Sequence, residues 1–400
     1  MTPKRLTTVA NEFGTPTYVY DAQKIRSQFK RLYTAFDGLP VKLHYAMKAL
    51  SNVNILKLLR KEGAELDAVS IQEVQLGLRA GFNATQIMYT PNCVDFEEII
   101  EAVELGVHIN IDNLAILEEF GNKYGNKVPC CIRINPHIMA GGNSHISVGH
   151  IDSKFGISIH QVRHIARIVE NYGIIVNGLH MHTGSDIIDA QVFLRGADLL
   201  YNAAESFKDL TFMDFGSGFK VGYKEGDIVT PIEEIGKEIA DSFRAFCKRY
   251  GRDLELWFEP GKFLVSESGK FLVKSNVIKQ TTSTVFIGVD SGQNHLIRPM
   301  FYDAYHKIEN ISNPKGTPRL YSVVGYICES DTLGYDRLIS EVKVGDVLSI
   351  SNAGAYGFSM ANNYNSRLRP SEVLVDGSKQ HLIRKRETLE DVVATEILIK

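Results

Sequence analysis

Lys48 lies in the run HYAMKAL, one cation among apolar and aromatic neighbours, just after the β-prone VKL. A lysine in such a setting is paired, reaches to water, or has chemistry to do. Further polar residues follow other short β-branched or aromatic runs: Asp67 with Ser70, Asn92, Asp112, Arg133 with Asn135, His182 with Ser185, Gly216-Ser217-Gly218, and Glu259. One such residue alone reads as a turn or cap group, whereas eight groups converging on one rim make a site. Two of the turns suit an anion: DFGSGFKVGY sets bare backbone N–H groups directly after a strand, and EPGK follows the next one. There is no GxxxxGK[ST] loop, so a nucleoside triphosphate is not indicated. An amine for imine formation, anion donors and a carboxylate that could keep a ring nitrogen protonated together suggest pyridoxal phosphate. Glu259 would be that carboxylate, and the His182 imidazole could lie against the ring.

The elements that must position these groups are legible in the alternation of the chain. Between residues 40 and 262 the candidate strands are VKLHYAM, AELDAV, QIMYT, VHINI, VPCCIRIN, IVNGLHMH, TFMDFG and LELWFEP. Amphipathic segments such as IQEVQLGLRAG, FEEIIEAVELG and NLAILEEFGNKYG lie between them. Eight strands alternating with helices predict a (β/α)8 TIM-type barrel, whose functional groups project from the C-terminal ends of the strands. A long Gly/Ser/His-rich loop, PHIMAGGNSHISVGHIDSKFGIS, precedes the next helix and is long enough to suggest a role; its SKFG could sit at the site's mouth or simply open the helix. After residue 265 the pattern becomes GKFLVKSNVIKQTTSTVFIGVD, RLYSVVGYIC, DRLISEVKVGDVLSISN, EVLVDG and QHLIRKR, which reads as a second, mainly antiparallel β domain. TPTYVYD near the N-terminus has the same character. The expected domains are therefore 28–265 for the barrel and 1–27 with 266–400 for a discontinuous β domain.

With 400 residues, 44% hydrophobic and 23% charged, the chain has the composition of a two-domain globular enzyme. A net charge of −3 without a basic patch predicts no nucleic-acid partner, and no apolar run is long enough to span a membrane. No secretory h-region opens the sequence, so a cytoplasmic protein is expected. The five cysteines are odd in number and lack C-x-x-C spacing, which argues against a disulfide framework and a structural zinc site. Cys93, Cys130, Cys131 and Cys247 read as buried packing residues.

The motifs YAMKAL, HMHTGSD, DFGSGF, EPGK, RPMFYDAYH, CESDTLG and NAGAYGFSM, in this order, resemble the fold-type III pyridoxal-phosphate decarboxylases. Within them the diaminopimelate decarboxylases match best, over essentially the whole chain. The resemblance implies that Lys48 carries the cofactor and that His182 stacks on its ring. Ser185, Gly216, Ser217, Gly218 and Tyr356 would hold the phosphate, Glu259 would pair with the ring nitrogen, and Asp67 and Gly261 would complete the cofactor site. Lys262, Arg298, Tyr302, Glu329 and Tyr356 would bind substrate, Arg298 and Tyr302 taking its distal carboxylate and Glu329 its distal ammonium. Cys328 would join Lys48 as a catalytic residue, and Cys328 and Glu329 would enter from the partner subunit of a homodimer with shared sites. The implied reaction is decarboxylation of meso-2,6-diaminopimelate to L-lysine and CO2, the last step of lysine biosynthesis, with Lys48 or Cys328 returning the proton.

Two departures stand out. Lys262 occupies a place where the family usually has arginine, so the planar fork is lost. Ser217 replaces the middle of a three-glycine run. Both keep a donor for an anion, which predicts retuned binding rather than lost activity. Among rival readings, the pair His180 and His182 share one strand face and could bind a metal, but this barrel's metal hydrolases carry such a pair on the first strand. His180 reads instead as a hydrogen-bonded core residue, and no metal is expected. Ornithine, arginine or carboxynorspermidine decarboxylation is the runner-up, and Arg298 with Glu329 favours diaminopimelate. An inactive regulatory homologue is at odds with Lys48, His182, Glu259 and Cys328 occurring together.

Overall fold

The structure is a computed structural model that describes residues 1–138 and 153–399. Residues 139–152, most of the loop singled out above, lie outside the described residues. The chain divides into two compact units, one of residues 28–221 and 228–263, the other of 1–27, 222–227 and 264–400. Residues 222–227 thus group with the β unit although their numbers fall inside the expected barrel range. The Asn352 amide donates to the Gly222 carbonyl at 2.6 Å, and Tyr223 shares a hydroxyl hydrogen bond with Ser266 at 3.1 Å.

In chain order the strands begin with β1 (Thr17–Asp21), β2 (Val41–Ala46), β3 (Glu65–Ala68), β4 (Ile87–Tyr89) and β5 (His108–Ile111). They continue with β6 (Cys130–Asn135), β7 (Ile157–Ser158), β8 (Val176–Met181), β9 (Phe212–Asp214) and β10 (Glu255–Phe258). All eight expected barrel strands form. They run in the order β5-β4-β3-β2-β10-β9-β8-β6, every pair is parallel, and β5 pairs with β6 to close the ring. The short β7 adds to β6 outside this closure.

In the first half of the barrel the helices follow the strands with a side-chain cap at each start. Asn52, Ser70, Asp95 and Asn113 accept the hydrogen bonds that start the helices Val53–Glu62, Ile71–Arg79, Phe96–Leu105 and Leu114–Tyr124. Ser70, one of the polar groups read from the rim, is spent in this way, accepting from the Glu73 N–H at 3.2 Å.

The second unit contributes β11 (Gly269–Gln280), β12 (Val285–Val289), β13 (Ile308–Asn310), β14 (Pro318–Val324) and β15 (Thr332–Ser340). It ends with β16 (Val347–Ser351), β17 (Ser371–Asp376) and β18 (Lys379–Arg384). The order is β15-β14-β12-β11-β1-β17-β18, with β16 joining β11 to β13. The N-terminal strand β1 is central, antiparallel to β11 and parallel to β17. The sheet is mainly antiparallel, as expected, with β12–β14 a second parallel pair. Both parallel pairs join strands far apart in sequence, where no hairpin dictates direction. The helix Pro3–Phe13 packs Leu6, Val9 and Ala10 against Val19, Leu272 and Val373.

Cys130, Cys131 and Cys247 are buried, but Cys93 is exposed, which corrects the expectation that all four pack inside. Cys93 sits on a turn after β4 at φ +57°, with its thiol on the Asn92 side-chain oxygen at 3.2 Å. Among the described residues no helix is long and apolar enough to cross a membrane.

Candidate active site

Lys48 lies two residues past β2, in the 3-10 turn Met47–Ala49. That turn is laced to the loop after β10: the Ala46 N–H donates to the Pro260 carbonyl at 3.2 Å. A Cβ on Gly261 would stand 3.2 Å from the Cβ atoms of Ala46 and Ala49, so glycine permits this close approach. The Lys48 ammonium is 3.0 Å from Asp67 Oδ2 and its side chain is 44% exposed, so the amine is both anchored and accessible. Burial, reinforced by the Glu259 charge, pushes the Asp67 carboxyl up.

Inside the rim four ionisable groups are buried together. The Nε2 of His180 and Oε2 of Glu259 are 3.0 Å apart, while Glu259 Oε1, Asp67 Oδ1 and Asp214 Oδ2 are buried with no hydrogen-bond partner among the described residues. Burial raises the Glu259 pKa, but His180 and Lys48 outweigh it and hold the carboxylate ionised, well below the usual range. Asp214 is driven the other way, by burial and then by the Glu259 charge. Arg133 is buried in the same layer. Like charges cannot all persist in a dry space, so one carboxylate stays charged and its neighbour takes the proton.

The glycine turn closes the circuit. Gly216 (φ +62°) and Gly218 (φ +122°) have backbone conformations that disfavour side chains. A Cβ would stand 2.6 Å from His182 Nδ1 at Gly216 and 2.4 Å from the Gly184 carbonyl at Gly218. Ser217, the departure from an all-glycine run, has a backbone conformation open to side chains, unlike Gly216 and Gly218, and its N–H donates to His182 Nδ1 at 3.2 Å. Nδ1 is thereby an acceptor, and burial, helped by Arg133, pulls the His182 pKa down to about 3. His182 is a neutral ring. The two histidines are therefore engaged separately, His180 with Glu259 and His182 with Ser217, and do not act as one H-x-H pair. The metal-ligand atoms of His180, Asp214 and Glu259 do lie within 4.8 Å of one another, a grouping that sequence spacing could not bring together. Lys262 is not open to an arbitrary anion, since its ammonium is 2.5 Å from Asp186 Oδ1.

Ser185 lies on the loop between His182 and Asp186. Asn92 and Asp112, both read from the rim, hydrogen-bond each other.

The other sequence-derived residues belong to the second unit, in two groups. The Arg298 guanidinium lies 5.6 to 5.9 Å from the ring centres of Tyr223, Tyr302 and Tyr356. Tyr356 has φ +54°, a strained value for a tyrosine. Cys328 and Glu329 are exposed and held in a network of their own. Glu329 accepts from Gln293 at 3.0 Å and from Tyr364 at 2.9 Å, and the Asn365 amide donates to Cys328 Sγ at 3.1 Å. Sequence reasoning missed Asp214, Asp186, Tyr223, Gln293, Tyr364 and Asn365. Asp214, Asp186 and Tyr223 carried a signal, since each ends or opens a motif quoted above, DFGSGFKVGY or HMHTGSD.

Residues 22–266 match the family model described as "Pyridoxal-dependent decarboxylase, pyridoxal binding domain". The diaminopimelate decarboxylase of Methanothermobacter thermautotrophicus is 36% identical, covering 96% of this chain and 92% of the relative. That of Pseudomonas aeruginosa is 35% identical, over 98% and 95% of the two chains. Among solved structures, Helicobacter pylori diaminopimelate decarboxylase complexed with L-lysine superposes with a TM-score of 0.90 at 32% identity, over 98% and 99% of the chains. A lysine/ornithine decarboxylase from Vibrio vulnificus, at 23% identity and a TM-score of 0.82, shares the fold. On this full-length similarity, and with a lysine, a carboxylate and a glycine turn gathered at one barrel rim, the chain belongs to the pyridoxal-dependent decarboxylases, in the diaminopimelate decarboxylase family.

Proposed function

We propose that this chain decarboxylates meso-2,6-diaminopimelate to L-lysine and CO2, the last step of lysine biosynthesis, with pyridoxal phosphate as cofactor. The observation that carries the reading is the joint occurrence, at one end of the barrel, of an accessible amine on Lys48 and a carboxylate on Glu259 held ionised by its neighbours. The residues fit the cofactor: among the described residues Glu259 Oε1 is buried with no hydrogen-bond partner, and Gly216 and Gly218, at φ +62° and +122°, form a turn that a side chain would strain. Lys48 would hold the cofactor's aldehyde carbon, Glu259 its ring nitrogen, and Ser185, Gly216, Ser217, Gly218 and Tyr356 its phosphate, with Asp67 and Gly261 bordering it. When bound, pyridoxal phosphate supplies an electron sink for the pair left as the carbon–carboxylate bond breaks.

The chain's own groups do the rest. Glu259 favours a protonated ring nitrogen because its charge is opposite and its site is dry. His182, as a neutral ring, offers a flat face without setting a second cation against that nitrogen. Asp67 orients the Lys48 ammonium, and Lys48 Nζ or Cys328 Sγ returns the proton. Arg298 and Tyr302 bind the substrate's distal carboxylate and Glu329 its distal ammonium, with Tyr356 and Lys262 also contacting substrate. A site built to pair both charges rejects substrates that leave one unpaired. We further propose a cytoplasmic homodimer with shared sites, Cys328 and Glu329 each serving the site of the partner subunit.

The test is CO2 and L-lysine release from meso-diaminopimelate, compared with ornithine, arginine and lysine. Release from meso-diaminopimelate alone is expected; release from ornithine or arginine instead overturns the substrate assignment. In the same assay, inactive Lys48→Ala and Cys328→Ala chains are mixed. Recovery of activity is expected, and none despite subunit exchange overturns the shared site.

A further inference from the structure

The loops after β8, β9 and β10 are neighbours around the barrel, and the described contacts lace all three together. The Ile187 N–H donates to the Gly218 carbonyl at 2.8 Å, fastening the first loop to the glycine turn. On the other side the Glu259 N–H donates to the Gly216 carbonyl at 2.7 Å, fastening the third. Asp186 sits on the first loop, next to Ser185, and Lys262 on the third, next to Gly261. Their side chains meet at 2.5 Å, and the Lys262 side chain is only 13% exposed. Asp186 is held at φ +61°, where aspartate and asparagine are the side chains best tolerated.

We propose that Asp186 is a positioning residue that holds the Lys262 ammonium in a charge-balanced strap across the anion-binding end of the barrel, withholding that charge from the cofactor phosphate and thereby setting how tightly the cofactor is kept. The inference rests on the reading that the glycine turn takes the phosphate of pyridoxal phosphate. Lysine suits the strap where arginine would not. An ammonium is a point charge that one carboxylate can absorb, whereas a guanidinium keeps further donors directed elsewhere. The strap predicts effects of opposite sign from its two ends. Asp186→Asn leaves the backbone conformation satisfied but frees a buried cation beside a dianion. Lys262→Met leaves a carboxylate there instead.

The experiment strips the purified protein of cofactor and measures binding and release of pyridoxal phosphate by absorbance, with phosphate-free pyridoxal in parallel. Asp186→Asn is expected to tighten pyridoxal phosphate binding about threefold to tenfold, and Lys262→Met to weaken it about tenfold or more, as one charge gained or lost near the anion implies. The double variant should fall between them, and none of the three should shift pyridoxal binding. If Lys262→Met does not fold, Asp186→Asn decides alone: tighter binding supports the strap, and unchanged or weaker binding overturns it. Weakening by both single variants, or equal effects on pyridoxal, reduces the pair to a structural brace and overturns the proposal. A wild-type protein that takes up no pyridoxal phosphate overturns the cofactor reading itself, and this inference with it.

Discussion

Two layers of the barrel interior differ by two residues along the same strands. Nearer the N-terminal ends are His44, Glu65, Cys131, Gly178, Phe212 and Trp257; two residues on stand Ala46, Asp67, Arg133, His180, Asp214 and Glu259. A step of two keeps a side chain on the same face of a strand, so both sets belong to the interior. The first layer is packed. Phe212 and Trp257 stack at 3.6 Å and 4°, His44 lies 4.3 Å from the Trp257 ring, and Gly178 is needed because a Cβ there would come within 2.1 Å of Phe212. The first layer's one ionisable pair, His44 Nε2 and Glu65 Oε2 at 3.0 Å, is matched one to one, whereas the second, charged layer crowds three carboxylates, Asp67, Asp214 and Glu259, each with a buried oxygen that has no hydrogen-bond partner among the described residues. The fold needs only the first. The second costs stability and is explained by what it can bind.

The difference is broken most severely at Glu259. Glu259→Gln keeps the shape and still lets a side-chain oxygen accept from His180, but removes the charge opposite the proposed ring nitrogen. We expect kcat to fall by about 10²–10³ or more, the scale of losing a preorganised electrostatic group. Melting temperature should hold or rise, since one of three crowded carboxylates is gone. A large loss of stability instead would make Glu259 a structural residue. In the packed layer the outcome is reversed. Trp257→Ala removes a side chain that is 2% exposed and sits in the Met88, Cys131 and Phe212 cluster. Its expected cost is about 3–5 kcal/mol of unfolding free energy, read by denaturant titration, with cofactor binding retained in the folded fraction. A Trp257→Ala protein of normal stability but unable to bind pyridoxal phosphate would erase the distinction between the layers.

The packed layer and the charged layer were not equally legible in the sequence. The eight strands could be read from β-branched runs, and the rim from the polar residue after each, because both are local patterns. Lys48, His182 and Glu259 stood out for that reason. What escaped was pairing. Nothing local says that His180 meets Glu259, 79 residues on, or that Asp186 takes the charge of Lys262, because strand order and loop path decide both. The helix Pro3–Phe13 escaped for another reason: its apolar positions are few and its start is signalled mainly by Thr2 and Pro3. Cys93 was misread because free cysteine is usually buried, whereas its place on a tight turn is a property of the backbone.

The smallest effect concerns how each layer responds to acid. His108, whose ring lies 5.6 Å from Trp257, donates from Nε2 to the Thr85 carbonyl at 3.0 Å. Burial, with His44 nearby, lowers its pKa below 6.5. The unfolded chain therefore binds a proton that the folded protein refuses. Stability from His108 is complete above about pH 6.5 and is lost as the pH falls toward the lower folded value. Glu65 has the same sign one step later. Burial raises its pKa, but the His44 hydrogen bond and charge, with Lys42, bring it below 4.5, so its contribution fades only under stronger acid. His182, just past the charged layer and down at about 3, adds to the loss over the whole range. His108→Gln, which can still donate to Thr85, should thus reduce the fall in melting temperature between pH 7 and 5.5 without abolishing it. The expected difference is about 1 °C, since roughly 1 kcal/mol shifts a protein of 150–250 residues by about 2–4 °C and a chain of 400 residues by less. An unchanged slope in His108→Gln would assign the acid sensitivity to the charged layer alone, and the packed layer would then be indifferent to pH as well as to chemistry.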